Sequence, residues 1–338
     1  MGVMQKLRVF SSFNFFSRRG GFWCLYQKKN CSGFSDSPSS CLISATKQLH
    51  GVHVFECQDR VGIAARIAAC IARHGASILD IDVHVHRDLI NEPSFFGRTE
   101  FVFDPSQWAQ NVMRNDFMKL KEEFNAKHSV VRIPGLDPPW KIAVLVSWKD
   151  HCLVDLLHFW QQGKVPVQIS CVISNHVREE NTSVIRFLTR HKIPYHFIPA
   201  TKKNKHEEEI LQLISQTDFL VLAHYMQILS PEFLKTYGRD IINIHHGLLP
   251  SFKGANPYKQ AYEAGVKLIG ATSHFVTEEL DDGPIIEQMI ERVSHRDSLE
   301  SFAMKSQYLE KACLVKAIKY YCDLRILHHG QRKTIVFD

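Results

Sequence analysis

Several absences narrow the possibilities for this 338-residue chain. No glycine occurs from residue 148 to 162, just after the first apolar strand pattern of the larger half. A Gly-rich turn that could hold a phosphate on backbone N–H groups is therefore missing, which disfavours a P-loop and a dinucleotide fingerprint. No G-x-S-x-G elbow is present, so Ser/His/Asp hydrolysis has no support. The nine cysteines form no CxxC pair, and their odd number fits free thiols in a reducing compartment. Histidines occur as pairs at 84/86, 245/246 and 328/329, without the spaced Cys/His/carboxylate set of a zinc site. No metal is expected. No run of 18 apolar residues exists, so no membrane span is expected either.

Acids are scarce at the start. Residues 1–47 carry seven Lys/Arg against Asp36 alone, in a segment rich in Ser with interspersed Phe and Leu. That is the composition of an organellar transit peptide, without the apolar core of a secretory signal; a mitochondrial address is favoured over a plastid one. Removing the leader leaves 34 basic and 34 acidic residues, so the formal charge of +6 belongs to the leader. The neutral body lacks the basic footprint of a nucleic-acid binder.

The rest divides at PGLDPPW (134–140), whose three prolines stiffen the chain and mark a linker. Before it, in 48–133, strand and helix patterns alternate as βαββαβ: strands over 50–57, 76–86, 97–103 and 129–133, helices over 63–75 and 105–127. The order predicts a ferredoxin-like sandwich with two helices on one face of a four-stranded antiparallel sheet. With C-x-D-x-x-G-I leading into its first helix, the segment resembles an ACT domain, which implies a regulatory module and a possible amino-acid effector. Beyond the linker, in 141–338, apolar strand patterns at 141–147, 167–174, 194–200, 219–225, 240–246 and 270–279 alternate with helical ones. The pattern predicts an α/β, Rossmann-like domain with a mostly parallel buried sheet.

Chemistry concentrates at the end of one of these strands. Period two puts Asn243 and His245 on one side and Ile242, Ile244 and His246 on the other. An amide and an imidazole side by side can hold a carbonyl oxygen that becomes an oxyanion. The same residues also read as an ordinary strand-ending turn with a satisfied histidine, and the pattern alone does not choose. LDDGP (280–284) is a turn by composition, and one of its acids could serve as a general base.

Taken in order, Asn243-Ile244-His245, Leu248–Pro250, Gly254, His274-Phe275-Val276 and Leu280-Asp281-x-Gly283 resemble the folate-dependent formyltransferase family over about 141–330. The resemblance implies metal-free, cofactor-free chemistry on 10-formyltetrahydrofolate by Asn243, His245 and Asp281. It also implies a folate pocket walled by Met226, Ile228 and Leu229, with Val276 and Leu280 closing its other side. Family members that formylate a ribonucleotide carry a Gly-rich loop where this chain has Ser147-Trp148-Lys149-Asp150-His151-Cys152. The ACT-like half, His245-His246 and the GANPYKQAYEAGVKLIGAT continuation (254–272) are similar to the family's formyltetrahydrofolate deformylase branch, which implies water as the nucleophile. Transfer to an amine acceptor and a non-catalytic amino-acid sensor are the rivals. The expected partners are a small-molecule folate and further copies of the chain, with no nucleic acid and no membrane.

Overall fold

Period-two apolar patterning over the first described residues builds β1 (Leu49–Gln58), which runs through the middle of a four-stranded sheet. The structure, a computed structural model, describes residues 48–87, 92–201, 204–330 and 332–337. The leader lies outside them. After β1 come α1 (Ile63–Arg73), β2 (Ser77–His86), β3 (Ser94–Phe103), α2 (Gln110–Glu123) and β4 (His128–Arg132). The sheet order is β2-β3-β1-β4, and every pairing is antiparallel. Gly62 opens α1 with φ 96°, a left-handed conformation that L side chains rarely adopt. The helix expected from 105 starts at Gln110. The intervening residues are instead turned by Asp104, whose carboxylate accepts from Ser106 N at 2.8 Å and whose carbonyl accepts from Trp108 N. That turn buries Trp108 among Phe101, Phe103 and Phe117.

Both faces of the sheet's inner strands are packed. The two helices cover one face. On the other, Val52, Val54 and Phe96 pack against Leu324, Leu327 and Phe337 from the chain's C-terminal end. Arg98 of β3 is buried there and donates to the carbonyls of Leu324 (3.1 Å) and Asp323 (3.0 Å). The proline-rich segment is a fastened turn: Asp137 accepts from Ile133 N, Gln110 and Arg114. Trp140, expected in the linker, already belongs to the next strand.

The larger half contains β5 (Trp140–Val146), α3 (His151–Gln161), β6 (Val167–Ser174), α4 (Ser183–Arg190), β7 (Tyr195–Phe197), α5 (Glu207–Ile214), β8 (Phe219–Leu222), α6 (Pro231–Tyr237) and β9 (Ile241–His245). It continues with α7 (Pro257–Glu263), β10 (Leu268–Phe275), β11 (Ile285–Arg292), α8 (Leu299–Cys322), β12 (Ile326–His329) and β13 (Lys333–Val336). The seven-stranded sheet has the order β11-β10-β9-β8-β5-β6-β7, parallel from β9 to β7 and antiparallel at β10 and β11. Ile142 to Val146 are wholly buried, as a central parallel strand between two helical layers requires. The chain leaves β5 toward β6 on one side and returns to β8 on the other. A switch of this kind opens a crevice at the carboxyl ends of the strands, where open α/β sheets bind ligands. No helix among the described residues is long and apolar enough to cross a membrane.

His53 of β1 is buried, stacks on Phe117 at 3.9 Å and meets Ser129 Oγ at 3.0 Å. Burial, with a smaller effect from His128, pushes its pKa down to about 3 from 6.5. The folded state therefore resists a proton that the unfolded chain takes up. Its contribution is complete above pH 6.5 and is lost as pH falls toward 3, by at most about 1.4 kcal/mol per pH unit. Urea unfolding between pH 7 and 5 should show this loss, and His53→Phe should flatten it; an unchanged slope in the variant contradicts the assignment.

Candidate active site

Three neighbouring elements meet at the open end of the sheet. β9 supplies Asn243 and His245, whose neighbours Ile242 and Ile244 point into the main core. β10 lies antiparallel to β9 with His274 opposite Asn243, and the chain then makes the 276–284 turn before β11. Phe275 N donates to Pro284 O at 2.9 Å and closes that turn. Gly283 permits the closure, because a Cβ there would lie 1.7 Å from the Phe275 carbonyl oxygen. Asp281 in turn adopts a left-handed φ of 52°, an uncommon backbone state for a non-glycine residue at a functional turn.

The turn carries Asp281 over the end of β9. Its carboxylate lies 3.3 Å from His245 Nδ1 and 3.9 Å from His274 Nε2, and accepts from Gly254 N at 3.0 Å. On the other side of the ring, His245 Nε2 donates to Phe252 O at 3.0 Å. A carbonyl can only accept, so Nε2 carries hydrogen and the Nδ1–carboxylate contact is favourable when one further proton lies between the two groups. The carboxylate thus stands within reach of the imidazole. Asp282, the other acid of the turn, faces outward and pairs with Lys253 and Arg332.

His274, part of the family signature but given no role from sequence, sets the amide. Its Nδ1 donates to Phe275 O at 2.9 Å, leaving Nε2 to accept from Asn243 Nδ2 at 3.2 Å. Burial lowers the His274 pKa, against the opposing pull of the Phe275 carbonyl and Asp281, and keeps the ring neutral. One Asn243 N–H is thereby spent and the other is free for a ligand oxygen.

Asn243, His245, His274 and Asp281 line a cavity of about 300 Å³. Its apolar wall is the 222–229 segment, pinned to the end of β5 where Ser147 Oγ accepts from Met226 N at 2.9 Å. Met226, Ile228 and Leu229 lie on that wall, and Val276 and Leu280 lie across from it. Met226, Ile228 and Leu280 are each more than half exposed, a rim of apolar surface that a flat hydrophobic ligand would cover. His246 was expected on the opposite side. It lines the same cavity, because pairing ends at His245 and strand alternation no longer applies to the residue after it.

The loop after β5 is closed rather than cradle-shaped. Arg178 donates to the carbonyls of Ser147 (2.8 Å) and Trp148 (3.1 Å) and to Asp150 (2.9 Å), which places a carboxylate at the start of α3. Sequence patterning also gave no sign of a buried trio beside it. A ring nitrogen of His151, Cys152 Sγ and a Glu310 oxygen lie within 4.8 Å of one another. An ion would have to part the direct 2.7 Å His151–Glu310 hydrogen bond, and burial holds the Cys152 thiol well above its usual range, against the thiolate a metal needs.

Comparison with known proteins gives a consistent picture. Residues 140–318 match the formyl transferase family model and 54–107 the ACT domain model. The chain is 61% identical over 287 residues to the mitochondrial formyltetrahydrofolate deformylase 1 of Arabidopsis thaliana, covering 85% of this chain and 88% of that protein. It is 40% identical to the formyltetrahydrofolate deformylase of Bacillus subtilis, covering 84% and 93%. Among solved structures, a formyltetrahydrofolate deformylase from Pseudomonas syringae pv. tomato superposes with a TM-score of 0.76 at 38% identity, covering 88% of this chain and 97% of that one.

Because a Cβ at Gly283 meets backbone, Gly283→Ala should displace the Asp281 turn and destabilise the fold by about 1–3 kcal/mol. Urea unfolding measures this; a variant within about 0.5 kcal/mol of the parent contradicts the account.

Proposed function

This chain belongs to the formyltetrahydrofolate deformylases, and we propose that Asn243, His245 and Asp281 carry out its reaction, the hydrolysis of 10-formyltetrahydrofolate to tetrahydrofolate and formate. The observation that carries the assignment of roles is one cavity that joins a free amide N–H, a His–Asp pair 3.3 Å apart and an apolar wall. Met226, Ile228 and Leu229 pack on one face of the ring, and Val276 and Leu280 on the other. The formyl oxygen then lies against the Asn243 amide, which strengthens its hydrogen bond as negative charge develops. Asp281 takes the proton of the attacking water, and His245 steadies the same oxyanion once its Nε2 leaves Phe252. As the C–N bond breaks, the His245–Asp281 pair returns the proton to the folate nitrogen, so that a poor amide leaving group departs as an amine. These steps use no metal and no organic cofactor.

Transfer to a phosphorylated amine acceptor is disfavoured by the loop after β5, where Asp150 and the Arg178 clamp occupy the place of a phosphate cradle. The enzyme acts in one-carbon metabolism, in the mitochondrion like its plant relatives. An amino-acid effector acts at the ACT half, and the chain assembles with copies of itself. Leu79, Ile81 and Val83, exposed on edge strand β2, supply apolar surface for that assembly.

Formate release measured without any acceptor should be robust in the parent protein. It should fall by about 10²–10⁴-fold in Asp281→Asn and in Asn243→Ala. Turnover within tenfold of the parent in Asp281→Asn contradicts the assignment.

A further inference from the structure

Three histidines stand at three adjacent strand ends: His151 after β5, His224 after β8 and His246 after β9. Behind them the middle of α8 supplies Glu310, which is 3% exposed. Both of its oxygens are occupied, one by Ser306 Oγ at 3.0 Å and the other by His151 Nε2 at 2.7 Å. From there the rings form a row. His151 meets His224 edge-on at 5.3 Å between centroids, His224 stacks on His246 at 5.5 Å, and His246 lies 5.6 Å from His245.

His224 is the anomaly of the row. It is only 8% exposed, yet its Nδ1 has no hydrogen-bond partner, and its backbone takes a left-handed φ of 64°. Folds rarely retain a buried orphan nitrogen and an unfavourable backbone at one residue without a use for them. His224 and His246 both line the cavity that holds Asn243 and His245. Burial lowers the pKa of both rings, that of His246 to about 4, against the raising effect of Glu310, so each is neutral at pH 7 with one nitrogen free to accept. Burial pushes Glu310 up, but the hydrogen bond from His151, with smaller pulls from the neighbouring rings, brings it below its ordinary value, so the row ends in an anion.

We propose that His224 and His246, held in place by the His151–Glu310 pair, bind the attacking water on the side of the cavity where a transferase would seat its amine. This rests on the deformylase reading. One hydrogen of the water is accepted by a histidine ring nitrogen, which turns an oxygen lone pair toward the formyl carbon. That lone pair forms the C–O bond while the carbonyl π pair moves onto the oxygen at Asn243, and the other hydrogen passes as a proton to the His245–Asp281 pair. Collapse of the tetrahedral intermediate breaks the C–N bond, and the same proton goes to the departing nitrogen. The buried Glu310 anion also repels an anionic acceptor, and the ring row takes up the space it would need, so this site determines specificity for water.

The test uses the full chain with His224→Ala, His246→Ala and Glu310→Gln, in acceptor-free formate release. Each should lower kcat at least tenfold with KM for formylfolate within twofold, and added imidazole should recover at least threefold of kcat in an alanine variant but none in Asp281→Asn. Parent-like kcat in both alanine variants, a KM rise that accounts for the loss, or no imidazole recovery in either overturns the proposal. If neither alanine variant folds, the near-isosteric Glu310→Gln decides by the same split of kcat from KM. A parent protein that releases no formate would instead sink the deformylase reading itself.

Discussion

The chemistry proposed for this fold depends on one contact, the 3.3 Å approach of the Asp281 carboxylate to His245 Nδ1. The two residues come from different elements. His245 sits where β9 stops, and Asp281 stands on a turn that returns over it only because Gly283 leaves room for the Phe275 carbonyl. The β9–β10 pairing that sets His274 opposite Asn243 aims the amide by the same geometry. A parallel sheet alone would leave Asn243 and His245 at a bare strand end. The antiparallel β10–β11 addition is what brings a carboxylate and a second imidazole to them.

The rest of the molecule closes two sides of this centre. Toward the ligand, the 222–229 wall is anchored by Ser147 and presents apolar surface to the crevice. At the end of β5, Arg178, Asp150 and the histidine row leave no phosphate cradle. Helix α8 joins this side to the ACT half. Glu310 sits in its middle, and the carbonyls just past its end are held by Arg98 of β3. An effector that moved β3 would therefore act on the helix that carries Glu310.

Much of this was legible in the sequence, and the failures have physical reasons. The βαββαβ order, the mostly parallel sheet and the Asn243/His245 face follow from apolar periodicity, which strands buried on one or both faces must obey. Asp281 rather than Asp282 came from resemblance, since composition cannot tell which acid of a turn faces inward. His246 was misplaced because alternation holds only while a strand is paired. His274, His224 and Glu310 lie on segments 36 to 86 residues from one another, and a site assembled by tertiary contact leaves no spacing to read. The polar–apolar alternation of β11 and the hairpin β12–β13 were passed over. Their role, extending one sheet and covering another, appears only once the sheets exist.

The most direct test of the account is a crystal structure with a 10-formylfolate analogue in which carbon replaces the leaving nitrogen, so that the complex cannot turn over. The pterin should lie between the 222–229 wall and Leu280, with one oxygen of the formyl group, or of its hydrate, within hydrogen-bond distance of Asn243 Nδ2. The other oxygen, or an ordered water in its place, should lie between Asp281 and His246. A formyl group bound away from Asn243, His245 and Asp281 would contradict the account.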